Sequence, residues 1–469
     1  MWNKSFGKKI LIVAFGRMMS LISGVAVGFL LPKIFSVTEY GFYKVFTLYA
    51  VYTALLHFGF VDGILLKISG MDYKELDHIK MRAYTRFYVV FEICISLIMM
   101  LVGLLCTNGE YLFIVIMLAI NMVFVNITTY YQFVSQAVQR FGEYSAKNLI
   151  ISAVKLVFVL SLYFISNYYM VNISHRVYLM GLNILDLSIM LWYISMYRDI
   201  TFGKRESIKK VKTDILSIFK TGILLTLAYQ MSHLVLALDR QFVNLLFSTE
   251  TFAIYSFAYN IVSMISTMVS SISIVLLPML KNRTSEIVIG SYKKSLSTIA
   301  MIASGGLLCY FPLVLFIGWF LPEYYSSIQY MAIVLPAFLF SSVITVVMFT
   351  INKVFDMNFI FFKDSCFVFI LGLLFNMLAY YLFKTPEAIS YASIVVMMIW
   401  FLISGMRLKG KTSVGVRKEF IYLFLMAIGF LAITSSINII WIGFVLYLAL
   451  VLLGMLFFYK NMISIWHRN

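Results

Sequence analysis

Long apolar stretches alternate with short polar ones along the whole chain. Each apolar run is about 20 residues long and is bounded by charged residues, Pro, Asn or Gly, and a run of this length can cross a bilayer as one α-helix. The pattern predicts fourteen membrane-spanning helices. Their approximate bounds are residues 10–31, 43–66, 84–106, 111–133, 146–166, 176–197, 221–247, 252–279, 296–320, 330–351, 365–383, 387–406, 419–436 and 440–459.

The composition is that of a polytopic membrane protein. Of 469 residues, 62% are hydrophobic and only 12% are charged. The longest hydrophilic stretch, residues 198–220, is too short to bury a core of its own. A large soluble domain is therefore excluded.

Lys and Arg are distributed unevenly between the two sides of the membrane. With the N-terminus inside, the inner connectors and termini hold 30 of the 37 basic residues and the outer connectors hold four. An excess of basic residues marks the cytoplasmic side, so we predict a multi-pass protein of the bacterial cytoplasmic (inner) membrane with both termini in the cytoplasm. The net charge of +17 mostly reflects this topology. Because the charge is spread over separate segments, it does not indicate nucleic-acid binding.

Seven charged residues fall inside the predicted spans, where each costs about 2.5–3.5 kcal/mol at a helix centre unless it faces protein or water. The cations are candidate binding groups for an anionic substrate, and the acids are candidate sites for a coupling ion. The candidate substrate-binding residues are Arg17, Lys155, Arg240 and His233. The candidate ion-coupling residues are Glu92, Asp186, Asp239 and Asp62.

The helical rise of about 1.5 Å per residue predicts that several of these groups share one layer of the membrane. Arg17, Glu92 and Lys155 enter from the same side to similar depths, and Asp186 is expected at the same level. Ion pairs that only fix helix packing are the alternative. All seven charges lie in the first seven predicted spans, an asymmetry that packing alone does not require. The later spans are expected to be nearly free of deep charge.

A short repeat predicts the architecture. The sequence FSVTEYGFY at residues 35–43 and FSTETFAIY at residues 247–255 are 212 residues, or six predicted spans, apart. Six spans repeated in one orientation imply two lobes around a central cavity. We therefore predict an all-α integral membrane protein with two six-helix lobes and a C-terminal helix pair. The predicted domains are an N-terminal lobe at 1–197, a basic cytoplasmic linker at 198–220, a second lobe at 221–406, and spans 13–14 with a cytoplasmic tail at 407–469.

Two sequence features that suggest chemistry do not support it. The segment GMRLKGKT at residues 405–412 fits the phosphate-binding loop pattern, but that motif works between a strand and a helix, and here it joins two spans. The four cysteines are scattered in apolar helices without metal or disulfide spacing. We expect no cofactor, no metal and no enzymatic activity.

Four segments carry a resemblance to a known family. They are residues 31–46 (LPKIFSVTEYGFYKVF), 137–148 (AVQRFGEYSAKN), 238–262 (LDRQFVNLLFSTETFAIYSFAYNIV) and 321–330 (LPEYYSSIQY). The chain resembles the bacterial polysaccharide flippases of the O-antigen (Wzx) type, within the multidrug, oligosaccharidyl-lipid and polysaccharide exporter superfamily. The resemblance implies a flippase that moves an undecaprenyl-pyrophosphate-linked oligosaccharide, such as an O-antigen or capsule repeat unit, from the inner to the outer leaflet by alternating access.

That resemblance also implies partners. These are the lipid-linked oligosaccharide, membrane lipids, a polysaccharide polymerase with a chain-length regulator, and a proton or sodium ion for coupling. Two other functions stay open at the sequence level. One is a drug or ion antiporter of the same superfamily, and the other is a membrane-embedded polysaccharide polymerase or glycosyltransferase. The short outer connectors argue against the second, because such enzymes generally need a sizeable outer loop to hold the acceptor.

Overall fold

The computed structural model consists almost entirely of α-helices over the residues that it describes. The backbone is described for residues 4–280, 283–437 and 439–466. Side chains are described for residues 18–140, 142–143, 146–269, 276, 280, 283–437 and 439–456. The chain forms two compact units, Met1–Gln230 and Met231–Asn469, and each is described by itself.

Unit 1 contains eight helices and the first part of a ninth. They are α1 Lys4–Ile34, α2 Val37–Thr53, α3 Phe60–Ile68, α4 His78–Cys106, α5 Gly109–Ala137, α6 Phe141–Tyr169, α7 His175–Met196, α8 Arg198–Thr201 and α9 Ile208–Leu246.

Unit 2 contains the end of α9 and nine further helices. They are α10 Thr249–Leu280, α11 Ser285–Gly306, α12 Tyr310–Phe320, α13 Ser327–Val343, α14 Phe349–Val354, α15 Asn358–Phe383, α16 Pro386–Thr412, α17 Arg417–Ser436 and α18 Ile440–Trp466. One π-helical turn, Ile344–Met348, joins α13 to α14.

The prediction of an all-α membrane protein with about fourteen spans is confirmed. Eleven helical segments are long and apolar enough to cross a membrane, and the bent pair α2–α3 makes a twelfth. Two shorter apolar helices, Met18–Ile34 and Ile440–Leu456, correspond to predicted spans 1 and 14. The helices are longer than the apolar runs, because several of them continue into polar residues that the hydropathy pattern assigned to connectors.

The segment predicted as a linker, residues 198–220, is largely helical. It contains α8 and the start of α9. The boundary between the compact units lies after Gln230, inside α9. The predicted domain limits themselves stay a prediction.

Predicted span 2 is broken in the middle. A 3₁₀ turn, Ala54–His57, separates α2 from α3, and the two helices meet at a bend of 54°. Phe58 and Gly59 have positive φ values of 48° and 85°. A Cβ atom on Gly59 would lie 2.3 Å from the backbone nitrogen of Ile223 in α9, so the turn needs glycine for both its conformation and its close contact with α9.

Stacked aromatic side chains form the core of unit 1 beside this break. Phe60 of α3 stacks on Tyr88 of α4 with ring centroids 4.9 Å apart, and Tyr88 stacks on Tyr130 of α5 at 5.4 Å. All three are fully buried. This packing fixes α3, α4 and α5 against one another on one side of the break.

The repeated motif begins a helix in each unit. Ser36 Oγ accepts a hydrogen bond from the backbone amide of Glu39 at 3.3 Å, and Ser248 Oγ accepts one from Thr251 at 3.2 Å. Each serine is the N-cap of its helix, and such a cap satisfies a backbone donor that the helix leaves open. The sequence repeat is therefore also a repeat of local structure.

The C-terminal helix pair packs within unit 2. Helices α17 and α18 contact each other and α11. Ser297 donates a 3.1 Å hydrogen bond to buried Glu419 of α17, and Tyr447 of α18 donates one to the Ser304 carbonyl. These bonds fix the added pair to α11.

Candidate functional site

A cationic cluster lies in unit 2. Arg240 and His233 stand seven residues apart on α9, so they lie on one face of the helix. The positive charges of Arg240 and of Lys353 in α14 both act on His233. The guanidinium of Arg240 stacks over the ring of Tyr259 at 5.0 Å from its centroid, which orients it. This cluster can bind an anion such as a phosphate.

Asp239, adjacent to Arg240, points to a different set of groups. Its carboxylate is 2% exposed and accepts hydrogen bonds from the hydroxyls of Tyr255, at 3.0 Å, and of Tyr259. Ser390 of α16 donates in turn to the Tyr255 hydroxyl at 3.1 Å. The charge on Asp239 therefore has its own hydroxyl partners, and its field also acts on Arg240.

Lys155 and Asp186 belong to a polar cluster in unit 1. Both interact electrostatically with Lys147, which lies two helical turns before Lys155 on α6. Lys147 donates a 3.4 Å hydrogen bond to Gln132 of α5. Asp186 of α7 accepts a 2.8 Å bond from Asn121 of α5. The cluster joins three helices and carries two positive charges against one negative charge.

Glu92 lies apart from that cluster. It is 0% exposed in α4 and accepts a 2.9 Å hydrogen bond from the amide of Asn126 in α5. The Tyr88 hydroxyl is also beside it. The expectation of one layer holding Arg17, Glu92, Lys155 and Asp186 is not met for the described side chains, since Glu92 has its own partners.

The remaining predicted site residues are Asp62 and Arg17. Asp62 of α3 accepts a hydrogen bond from the hydroxyl of Thr226 in α9, where glycines let the two helices approach closely. A Cβ on Gly222 would be 1.9 Å from the Gly59 carbonyl oxygen. The side chain of Arg17 lies outside the described residues, so its role stays a prediction.

The expectation that spans 8–14 are nearly free of deep charge is wrong. Asp364 of α15 and Glu419 of α17 are buried, and Lys353 lies in a membrane-spanning segment. Arg407 of α16 forms an ion pair with Asp364 at 3.2 Å. These residues were assigned to connectors, or to a span boundary in the case of Glu419, because the apolar runs end before the helices do. Lys147 was missed for the same reason, although its spacing from Lys155 was a usable signal.

A second charged cluster lies at the start of α7, on the predicted outer side. His175 is 1% exposed, and its Nδ1 is 2.5 Å from Glu39 while its Nε2 is 3.3 Å from Glu110. Arg176 donates two hydrogen bonds to Glu110, at 3.0 and 2.6 Å. The contacts tie the N-terminal ends of α2, α5 and α7 together, which points to a structural role.

Cofactor and metal sites were also considered. Over the described side chains there is no group of three or more His, Cys, Asp or Glu residues that could hold a metal ion. The phosphate-loop-like segment 405–412 forms the end of α16. A continuous helix cannot wrap its backbone amides around a phosphate as that loop does, so a nucleotide site is not present there.

Known proteins resemble this chain in structure rather than in sequence. No family model and no curated protein matches it. The lipid II flippase MurJ, in an inward closed conformation, has a TM-score of 0.70 at 12% identity over 97% of this chain and 99% of its own. An outward-facing MATE family multidrug resistance transporter of the MOP superfamily has a TM-score of 0.58 at 11% identity over 87% and 96% of the two chains. The Vibrio cholerae MATE transporter VcmN has 0.58 at 12% identity over 87% and 98%.

At such low identity these similarities show the fold. It is the fold of MurJ and the MATE transporters, so the superfamily fold expected from the sequence is confirmed. The MurJ similarity leaves 3% of this chain uncovered, fewer residues than either α17 or α18 contains. The helix pair that extends beyond the six-span repeat is therefore part of that similarity.

Proposed function

We propose that this chain is a flippase for an undecaprenyl-pyrophosphate-linked oligosaccharide, which it moves from the inner to the outer leaflet of the cytoplasmic membrane by alternating access. The observation that carries the proposal is the structural similarity to a lipid II flippase over nearly the full length of both chains. The four sequence segments that resemble O-antigen flippases specify the substrate further. An O-antigen or capsule repeat unit is the proposed oligosaccharide.

The buried cations fit such a substrate. A pyrophosphate with attached sugars cannot cross the apolar core unaided, because its charges and hydroxyls would all lose water. In unit 2, Arg240, His233 and Lys353 offer positive charge, and a guanidinium can bind two phosphate oxygens at once. We assign pyrophosphate binding to this cluster. Lys147 and Lys155 of unit 1, with Arg17, are proposed as further cationic contacts.

The energy source is proposed to be an ion gradient rather than ATP. Buried acids in a membrane protein are the usual places for a coupling ion. Glu92, Asp186, Asp239 and Asp62 are the candidates. Asp186 is near two lysines, whereas the hydrogen bonds of the other three come from neutral Asn, Thr or Tyr side chains.

Transport by reconstituted vesicles tests the proposal. Vesicles with the purified protein should move undecaprenyl-pyrophosphate-linked oligosaccharide to the opposite leaflet, where an added glycosidase cleaves it, much faster than vesicles without protein. Cationic dyes should not be transported. Dye transport with no movement of the lipid-linked oligosaccharide would overturn the proposal.

That opposite result would favour the second candidate function, a drug or ion antiporter. The observation behind it is the similarity to MATE transporters, which covers 87% of this chain. The cationic clusters argue against it, since positive groups repel a cationic drug.

A further inference from the structure

The break in predicted span 2 brings a backbone carbonyl next to a buried acid. Helix α2 ends at Thr53 and the 3₁₀ turn follows. The Thr53 carbonyl oxygen accepts a 3.4 Å hydrogen bond from the side-chain amide of Asn126. The same amide nitrogen donates to Glu92 Oε2 at 2.9 Å. One amide group therefore lies between two oxygens that would otherwise face each other.

Glu92 is only partly satisfied by these contacts. Its Oε1 atom is buried and has no hydrogen-bond partner among the described residues. The hydroxyl of Tyr88 is close to the carboxyl group, but it donates to the backbone oxygen of Asn126 at 3.4 Å. Burying a carboxylate with one neutral donor is costly unless a positive charge compensates it.

The charged groups around Glu92 do not supply that compensation. The groups described beside Glu92 are Asn126 and Tyr88, both neutral. The other carboxyl group that acts on Tyr88 is Asp62, which adds negative charge. The described surroundings of Glu92 are therefore rich in oxygen and lack a basic side chain in contact with it.

A small change would turn this arrangement into a cation site. The oxygen and nitrogen of an Asn amide can exchange places by rotation about one bond. Rotation of Asn126 would turn its oxygen toward Glu92 and the Thr53 carbonyl, an arrangement of like-charged oxygens that is stable only with a cation between them. Interrupted membrane helices commonly offer backbone carbonyls to sodium ions in this way.

We propose that Glu92, Asn126, the Thr53 carbonyl and the Tyr88 hydroxyl form a sodium site at the break in span 2. Sodium neutralises the buried carboxylate and uses the Glu92 oxygen that lacks a partner. The site deepens the proposed function, because it identifies the coupling ion. The binding of sodium itself does not require the lipid-linked substrate.

Sodium binding to the purified full-length protein in detergent tests the site, with radioactive sodium as the probe and no lipid substrate present. We expect saturable binding by the original protein. Glu92→Gln should weaken it by about tenfold or more, as the loss of a charged ligand worth more than about 1.4 kcal/mol does. Asn126→Asp keeps an oxygen and should still bind, whereas Asn126→Leu should not.

Asp364→Asn is the matched control, since it also removes a buried acid but lies in unit 2. It should bind sodium like the original protein. Normal sodium binding by Glu92→Gln would overturn the site, and so would the absence of saturable sodium binding by the original protein, including the case in which only acidification affects it. Because no substrate is present, a failed transport assay leaves this result unaffected, and the two failures can be told apart.

Discussion

The two units start corresponding helices in the same way. Ser36 caps α2 and Ser248 caps α10, and the offset of 212 residues between Tyr43 and Tyr255 is kept by their partners. Tyr43 bonds to Tyr178, and Tyr255 bonds to Ser390, which lies 212 residues after Tyr178. The repeat therefore extends from the capped turn to the helix that packs beside it.

The same pair of helices differs in its charged groups. In unit 1 the helix breaks after Thr53, and the nearby acids Asp62 and Glu92 have neutral partners. In unit 2, α10 is continuous, and the buried acid Asp239 stands beside Arg240. The repeat preserves the backbone, whereas the buried charges are particular to each unit. Unit 2 is thus suited to an anion, and the break in unit 1 is suited to a cation.

The largest expected effect comes from the helix crossing beside the break in unit 1. In Gly222→Ala the new Cβ would meet the Gly59 carbonyl at 1.9 Å, and backbone cannot move aside as a side chain can. We expect a loss of about 3 kcal/mol of stability or failure to accumulate folded protein. Thermal unfolding of the purified protein measures it.

Gly305→Ala in unit 2 is the control, because nothing lies within 4 Å of its added Cβ. It should unfold at nearly the same temperature as the original protein. Equal unfolding temperatures for Gly222→Ala and the original protein would refute the close crossing of α3 and α9.

The outer charged cluster separates the units at positions related by the same offset. His175 of unit 1 is buried between two glutamates, whereas the residue 212 positions later, Glu387, makes an exposed hydrogen bond to Gln329. Removing one partner of a buried charged group costs about 3 kcal/mol or more, so His175→Ala should lower the unfolding temperature clearly.

Glu387→Ala should change stability by less than about 0.5 kcal/mol, as surface substitutions usually do. The same unfolding measurement compares the two variants. An equal and small effect of both substitutions would show that the His175 cluster does not hold α2, α5 and α7 together.

A moderate effect on transport is expected from the lysines that the hydropathy pattern assigned to connectors. Lys353→Met should slow translocation of the lipid-linked oligosaccharide by about tenfold, the cost of about 1.4 kcal/mol for one lost contact with a charged group. Lys147→Met tests whether unit 1 contributes equally. Both variants should reach normal levels in the membrane.

Transport at the original rate by Lys353→Met would remove this residue from the binding cluster. A defect in Lys147→Met alone would reverse the comparison, since unit 1 would then supply the main contact with the anion.

The smallest effect is expected at the capped turns. Ser36→Ala and Ser248→Ala each remove one side-chain cap, which is worth about 1 kcal/mol. Because the two caps have nearly the same geometry, the two variants should be destabilised equally. A large difference between their unfolding temperatures would mean that the repeat does not extend to the energetics of the turn.

Much of the fold could be predicted from the sequence, because a bilayer requires long apolar helices with internally satisfied backbones. The fourteen spans and the superfamily fold followed from that requirement and from the four motif segments. The break after Thr53 was not predicted, since its residues remain apolar and only the structure shows the positive φ of Phe58.

The candidate site was predictable in part. Arg240 and His233 were identified because a deep charge or imidazole on one helix face is unusual. Their partner Lys353 was not, because it follows the end of an apolar run, and hydropathy cannot show that the helix continues. The separation of Glu92 from Lys155 depends on which way each helix faces, which depth along the helix does not determine.

The most direct test of the central claim is the transport of undecaprenyl-pyrophosphate-linked oligosaccharide by reconstituted vesicles that contain equal amounts of the original protein, Arg240→Ala or Arg240→Lys. The original protein should move the lipid rapidly. Arg240→Ala should fall to the rate of vesicles without protein, and Arg240→Lys should keep part of the activity, because it retains the charge but not the two-pronged contact with phosphate. Full transport by Arg240→Ala would contradict the account.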